Sequence, residues 1–185
     1  MKLTVTSRTG EKKSDVKKIR REGNIPGIVY APGKTPEKII VNGSEYGALM
    51  RKVKSGQLPT TVFTLVAGNK QQKAIVKEVQ YEITRYEVSH LDFEELNDDV
   101  LVKIKVPITI TGAVDCVGVK LGGTLRQVVR FVEVECLPKH IPSEFVVDVK
   151  DLGIGQVKRL ADLKVPEKVR PLAKETEVLI VVAKV

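Results

Sequence analysis

Leu101-Val102-Lys103-Ile104-Lys105-Val106 alternates apolar and charged residues without a break. Side chains on a strand point to opposite faces in turn, so this spacing fits a half-buried strand. Comparable short runs recur at Leu3–Thr6, Ile25–Ala31, Lys38–Val41, Thr61–Ala67, Lys73–Tyr81 and Glu87–Phe93. Further runs follow at Val100–Thr111, Val128–Cys136, Glu144–Val149 and Thr176–Ala183, separated by Gly- and Pro-rich turns. Gly68-Asn69-Lys70 reads as the loop of a hairpin. Trp is absent and aromatics make up only 4% of the chain, which leaves Val, Ile and Leu to fill the interior. That β-branched bias favours sheet, and the expected fold class is mainly β.

Two segments depart from the alternation. Ser14 is a plausible N-cap for a helix over Asp15–Glu22, with Gly23 placed to stop it. Ser44–Val53 sets Tyr46, Leu49, Met50 and Val53 at helical spacing, so these read as core residues. Glu94-Glu95-Leu96-Asn97-Asp98-Asp99 is acidic and interrupts the periodicity. It divides the chain into residues 1–94, mostly antiparallel sheet with two short helices, and residues 95–185, an all-β sandwich or small barrel.

Charge is unevenly spread. Seven of the fourteen residues from Arg8 to Arg21 are basic, and only Glu11 and Asp15 oppose them. Residues 1–54 hold thirteen basic and five acidic residues, a net of +8, which equals the net charge of the whole chain. A basic footprint concentrated in this way points to nucleic acid or another anionic surface. On the first helix, Val16 and Ile19 share a narrow face while Lys17, Lys18, Arg20 and Arg21 spread over the other. An ordinary solvated face is the competing explanation. The expectation of no acidic i+4 partner among these cations favours binding.

Catalytic and metal chemistry are poorly represented. His90 and Asp92 share one strand face and could orient a general base, yet no Ser or Cys nucleophile sits in a recognisable elbow. Two histidines and the lone cysteines Cys116 and Cys136 lack metal-ligand spacing, so no metal and no cofactor is expected. Gly118-Val119-Lys120-Leu121-Gly122-Gly123-Thr124 lacks phosphate-loop order and reads as a turn or bulge. The longest apolar run, Val178–Ala183, is far short of the roughly 20 residues a membrane helix needs. With no signal-like N-terminus, a cytoplasmic protein that does not engage membranes is expected.

Lys73, Lys77, Gln80, Tyr81 and Arg85 supply polar candidates on the long hairpin, with His90 and Asp92 on the next strand. Strict alternation does not put Gln80 on the face of Lys73 and Lys77 unless a bulge intervenes. Gln and Tyr paired with backbone cations are typical of RNA recognition.

Several motifs carry a family resemblance. Arg8 and the stretch Lys17-Lys18-Ile19-Arg20-Arg21-Glu22-Gly23-Asn24-Ile25-Pro26-Gly27-Ile28-Val29-Tyr30 resemble the opening of bacterial ribosomal protein L twenty-five. Glu78-Val79-Gln80-Tyr81 and His90-Leu91-Asp92-Phe93 are similar to its second signature. Val117–Gly123 and Val132–Pro138 resemble the C-terminal domain of its long form, general stress protein CTC. The resemblance spans nearly the whole chain in order. It implies an N-terminal β-barrel that binds 5S ribosomal RNA at its loop E region within the large ribosomal subunit, followed by an all-β C-terminal domain. By position, the RNA contacts it implies are Arg8, Lys13, Lys17, Lys18, Arg20, Tyr30, Lys73, Lys77, Gln80, Tyr81, His90 and Asp92. The leading expectation is a structural constituent of the ribosome, not an enzyme, with residues 95–185 free to touch neighbouring ribosomal proteins. The alternative is a free RNA-binding stress or regulatory factor.

Overall fold

The structure is a computed structural model and describes residues 1–9, 12–68 and 70–184. The chain divides into two compact units, Met1–Val100 and Leu101–Val185. In the first, β1 (Lys2–Ser7), α1 (Lys13–Arg21), β2 (Ile25–Tyr30) and β3 (Glu37–Val41) are followed by α2 (Gly43–Met50) and then β4 (Val62–Ala67), β5 (Lys70–Tyr81) and β6 (Val88–Glu95). Its strands close into a barrel in the order β1-β3-β2-β6-β5-β4. The ring is mostly antiparallel, with parallel seams where β1 meets β4 and β2 meets β6. Closure leaves no free sheet edge.

Alternate residues of the six strands fill the interior. Leu3, Val5, Val29, Val41, Phe63, Leu65, Leu91 and Phe93 form one buried cluster, and α2 adds Tyr46 to it. Phe63 and Phe93 meet edge to face, with ring centroids 6.5 Å apart. At Gly27, a Cβ would lie 2.8 Å from the Leu91 carbonyl oxygen, so glycine permits the close approach of β2 to β6.

The helix ends show how local chemistry positions them. Lys12, not Ser14, is the N-cap of α1, and Ser14 sits inside the first turn with its hydroxyl 3.3 Å from Asp15 Oδ1. The C-terminus follows expectation. Gly23 adopts φ +78°, its N–H donates to the Arg20 carbonyl, and Asn24 N–H donates to Ile19 O, which together make a Schellman stop. For α2, Asn42 is the cap, accepting from the Ser44 and Glu45 N–H groups at 3.0 and 3.2 Å. The helix ends at Met50, so the expected extension to Val53 is not helical. Glu45 also accepts from the Thr4 N–H and hydroxyl, which ties α2 to β1.

A Cβ at Gly43 would run into the Gly23 carbonyl oxygen. The start of α2 therefore rests directly on the stop of α1. Gly43→Ala is expected to lower stability by about 1–3 kcal/mol through backbone displacement. A thermal melt of the full chain checks this, and an unchanged melting temperature would contradict the close contact.

The second unit contains β7 (Val102–Thr111), α3 (Val117–Lys120), β8 (Gly123–Gln127), β9 (Phe131–Cys136), β10 (Phe145–Asp148), β11 (Val157–Arg159), β12 (Val169–Pro171) and β13 (Val178–Lys184). They form one sheet ordered β10-β7-β9-β12 and another ordered β11-β13-β8. The glycine-rich stretch expected as a turn is a short helix leading into β8. Strands β8, β11 and β12 lie outside the runs expected from periodicity. Lys103 and Lys105 stand opposite Glu135 and Glu133 across the β7–β9 ladder. Part of this unit's charge is thus laid out as opposed cross-strand pairs.

Candidate nucleic-acid interface

The hairpin of β5 and β6 sets the geometry of the face. Val76 pairs with Phe93 and Glu78 with Asp92, so Lys77 is an extra residue on β5. This bulge reverses the parity of the strand beyond it. Ala74 and Val76 point into the core before it, and Val79 packs against the core after it. Gln80 therefore joins Lys73 on the outer face, directly across from His90. Leu91 and Phe93 are buried, which turns His90, Asp92 and Glu94 outward beside Gln80 and Glu78. Tyr81 takes the other parity and is set at the barrel's end, so it does not share the face of Gln80.

His90 Nδ1 lies 2.7 Å from Asp92 Oδ1. That contact fixes the imidazole and leaves Nε2 available for a partner. On β2, Tyr30 pairs with Glu94 and Ile28 with Asp92. Burial, then the neighbouring Glu94, Asp92 and Glu78 carboxylates, push the Tyr30 hydroxyl above its ordinary pKa. It stays a neutral hydrogen-bond donor. Lys77 Nζ is 2.9 Å from Glu94 Oε2, so its charge is shared with the sheet. Lys73 sits near the start of β5, roughly 20 Å along the strand from Gln80.

Helix α1 joins this face through Arg20. Its Nε and Nη2 both donate to the Ser89 carbonyl, at 3.0 and 2.8 Å. Ser89 is itself an extra residue on β6, between the Gln80–His90 and Tyr81–Val88 pairs, and its hydroxyl donates to the Gln80 carbonyl at 3.2 Å. Arg20 is therefore a brace as well as a cation. Periodicity could not reveal it, because the partner is a backbone oxygen at a bulge far along the chain.

Lys13, Lys17 and Lys18 are exposed on α1. The expectation of no acidic i+4 partner fails at Lys18, whose Nζ is 3.9 Å from Glu22 Oε1. Both side chains are largely in water, so the pair stabilises little. Arg8 follows β1, half-buried, with its N–H donating to the Lys38 carbonyl at 2.9 Å. The structure thus brings Arg20, Gln80, His90, Asp92 and Tyr30 together, flanked by the lysines of α1. It sets Lys73 and Tyr81 apart from that centre. Outward carboxylates at Glu78, Asp92 and Glu94 make this a mixed surface. It can accept from base amino groups as well as meet phosphates.

Comparisons with known proteins match both units. Residues 3–93 match the model of the Ribosomal L25p family, and residues 101–185 match that of the ribosomal protein TL5 C-terminal domain. A protein of Chlamydia caviae named large ribosomal subunit protein bL25 is 46% identical over 184 residues, covering 100% of both chains. Proteins of the same name from Chlamydia muridarum and Chlamydia abortus are 44% and 45% identical, again over the full length of each.

Proposed function

The chain belongs to the ribosomal L25p family in a two-domain form, and on that premise we propose that its N-terminal unit binds 5S ribosomal RNA within the large ribosomal subunit. The observation that carries this reading is the Arg20–Ser89 brace. It makes one surface out of a basic helix and a polar sheet face that are separated in sequence. Lys13, Lys17 and Lys18 supply cations to phosphates, which position a backbone without reading sequence. Gln80, His90 and Asp92 supply directional donors and acceptors to base edges, and Tyr30 contributes a neutral hydroxyl. Such a division suits the distorted internal loop of a structured RNA, whose base edges are accessible in a wide groove, as loop E would offer.

Exchanging two of the exposed lysines, Lys13→Glu with Lys17→Glu, leaves the core and the brace untouched. A gel shift of the full chain against 5S RNA is expected to show affinity weakened about tenfold or more, with the melting temperature unchanged. Unchanged affinity would remove α1 from the interface.

A further inference from the structure

Beside this face lies a cavity of about 730 Å³, framed by the end of α1, by α2 and by the loop joining β5 to β6. Arg21 and Arg85 line it, together with Tyr46, Gly47, Met50 and the carboxylates Glu82 and Glu87. Tyr46 is only 3% exposed, and its hydroxyl is buried without a hydrogen-bond partner among the described residues. Leaving such a group unpaired is costly unless something meets it. Gly47 lies within α2, where glycine costs about 1 kcal/mol relative to alanine. Nothing lies within 4 Å of where its Cβ would be, so packing does not require glycine there. Gly47 lines the cavity, so a larger side chain there would enter open space.

The loop beside the cavity is unusual too. Tyr86 holds φ +55°, the one non-glycine residue with positive φ among those described. Glu82 N–H donates to the Glu87 carbonyl and Tyr86 N–H to the Glu82 carbonyl, both at 2.8 Å, which fixes that conformation. The result leaves Tyr86 83% and Tyr81 58% exposed, on either side of Arg85 in sequence. Exposed aromatics interleaved with arginine form a stacking platform for unpaired bases.

We infer that this cavity and its loop, which share Arg20 and Ser89 with the sheet face, bind one unpaired nucleotide of RNA. Arg21 and Arg85 meet its phosphate, and Tyr81 and Tyr86 offer faces for stacking. The Glu82 and Glu87 carboxylates meet polar groups of the base, including amino groups that a bare phosphate lacks. The inference rests on the RNA reading only for the class of ligand, and a mononucleotide can test it without 5S RNA.

The test is amide ¹H–¹⁵N spectroscopy of the full chain titrated with adenosine 5′-monophosphate, with unstructured hexaadenylate RNA and with inorganic phosphate. The expected result is saturable movement of the Arg21, Tyr46, Gly47 and Arg85 signals with both nucleotide probes, and not with phosphate at equal concentration. Gly47→Leu should fill the space and weaken binding about tenfold or more while keeping or raising the melting temperature. Arg85→Ala should weaken it severalfold. Lys13→Glu with Lys17→Glu should leave the mononucleotide response intact, so failure of the 5S reading and failure of this one are distinguishable. An equal response to phosphate would reduce the site to an anion cradle and overturn the inference. No response to either nucleotide probe would also overturn it and leave the exposed tyrosines to a protein partner.

Discussion

Phe93→Ala is expected to destabilise the N-terminal unit by about 3–5 kcal/mol, the usual cost of removing a buried aromatic ring. Phe93 is fully buried and packs edge to face on Phe63, also fully buried. The barrel is closed, so its strands cannot move inward independently to fill the void, and the cavity term persists. A loss of this size is a large part of the roughly 5–15 kcal/mol that holds a typical domain together. It carries a functional consequence because Phe93 shares β6 with His90 and Asp92, which point the other way. RNA affinity is expected to fall in step with the unfolded fraction, as chemical denaturation and a gel shift at the same temperature would show. Phe93→Leu, which retains most of the volume, should restore most of both. A melting curve for Phe93→Ala that overlays the parent would contradict this packing.

Arg20→Ala is expected to lower RNA affinity by more than the loss of one charge explains. Two hydrogen bonds to the Ser89 carbonyl disappear together, each worth about 0.5–1.5 kcal/mol net. The end of α1 then loses its registration against β6, and Lys13, Lys17 and Lys18 no longer hold fixed positions relative to Gln80 and His90. Affinity is expected to fall about tenfold or more, with a much smaller change in melting temperature. The informative control is Arg20→Lys. Lysine keeps the charge but cannot place a fork of two N–H groups on one carbonyl. If Arg20 braces the surface, lysine rescues only part of the loss. Full rescue by lysine would show that charge alone matters at this position.

Much of the fold was legible because strand periodicity and burial agree. The first half of β7 alternates buried and exposed residues as its sequence does, and Gly23 marks the end of α1 as glycine at that position should. The helix starts were harder to read. Lys12 caps α1 without a side-chain bond, whereas Asn42 caps α2 from just outside the apolar pattern. Strands β11 and β12 are three residues each, too short to show a period, and β8 opens on glycine. The site was legible as a set of residue types more than as an arrangement. The bulges at Lys77 and Ser89 decide that Gln80 faces with His90 while Tyr81 does not. No local signal in the chain announces either bulge. Arg20 looked like one more cation on a basic helix, and its partner is a backbone atom that composition cannot reveal.

The most direct measurement of the central claim is a gel shift of the full chain on 5S RNA at about 50 and 200 mM salt, with excess transfer RNA as competitor. A surface that joins phosphate cations to base-reading groups predicts a complex that survives the competitor at both salts. Its log K should fall with log salt at a slope of several units, as release of a handful of counterions requires. A complex that transfer RNA displaces as readily as 5S RNA does would show a general polyanion binder, and would contradict a surface built to read one RNA.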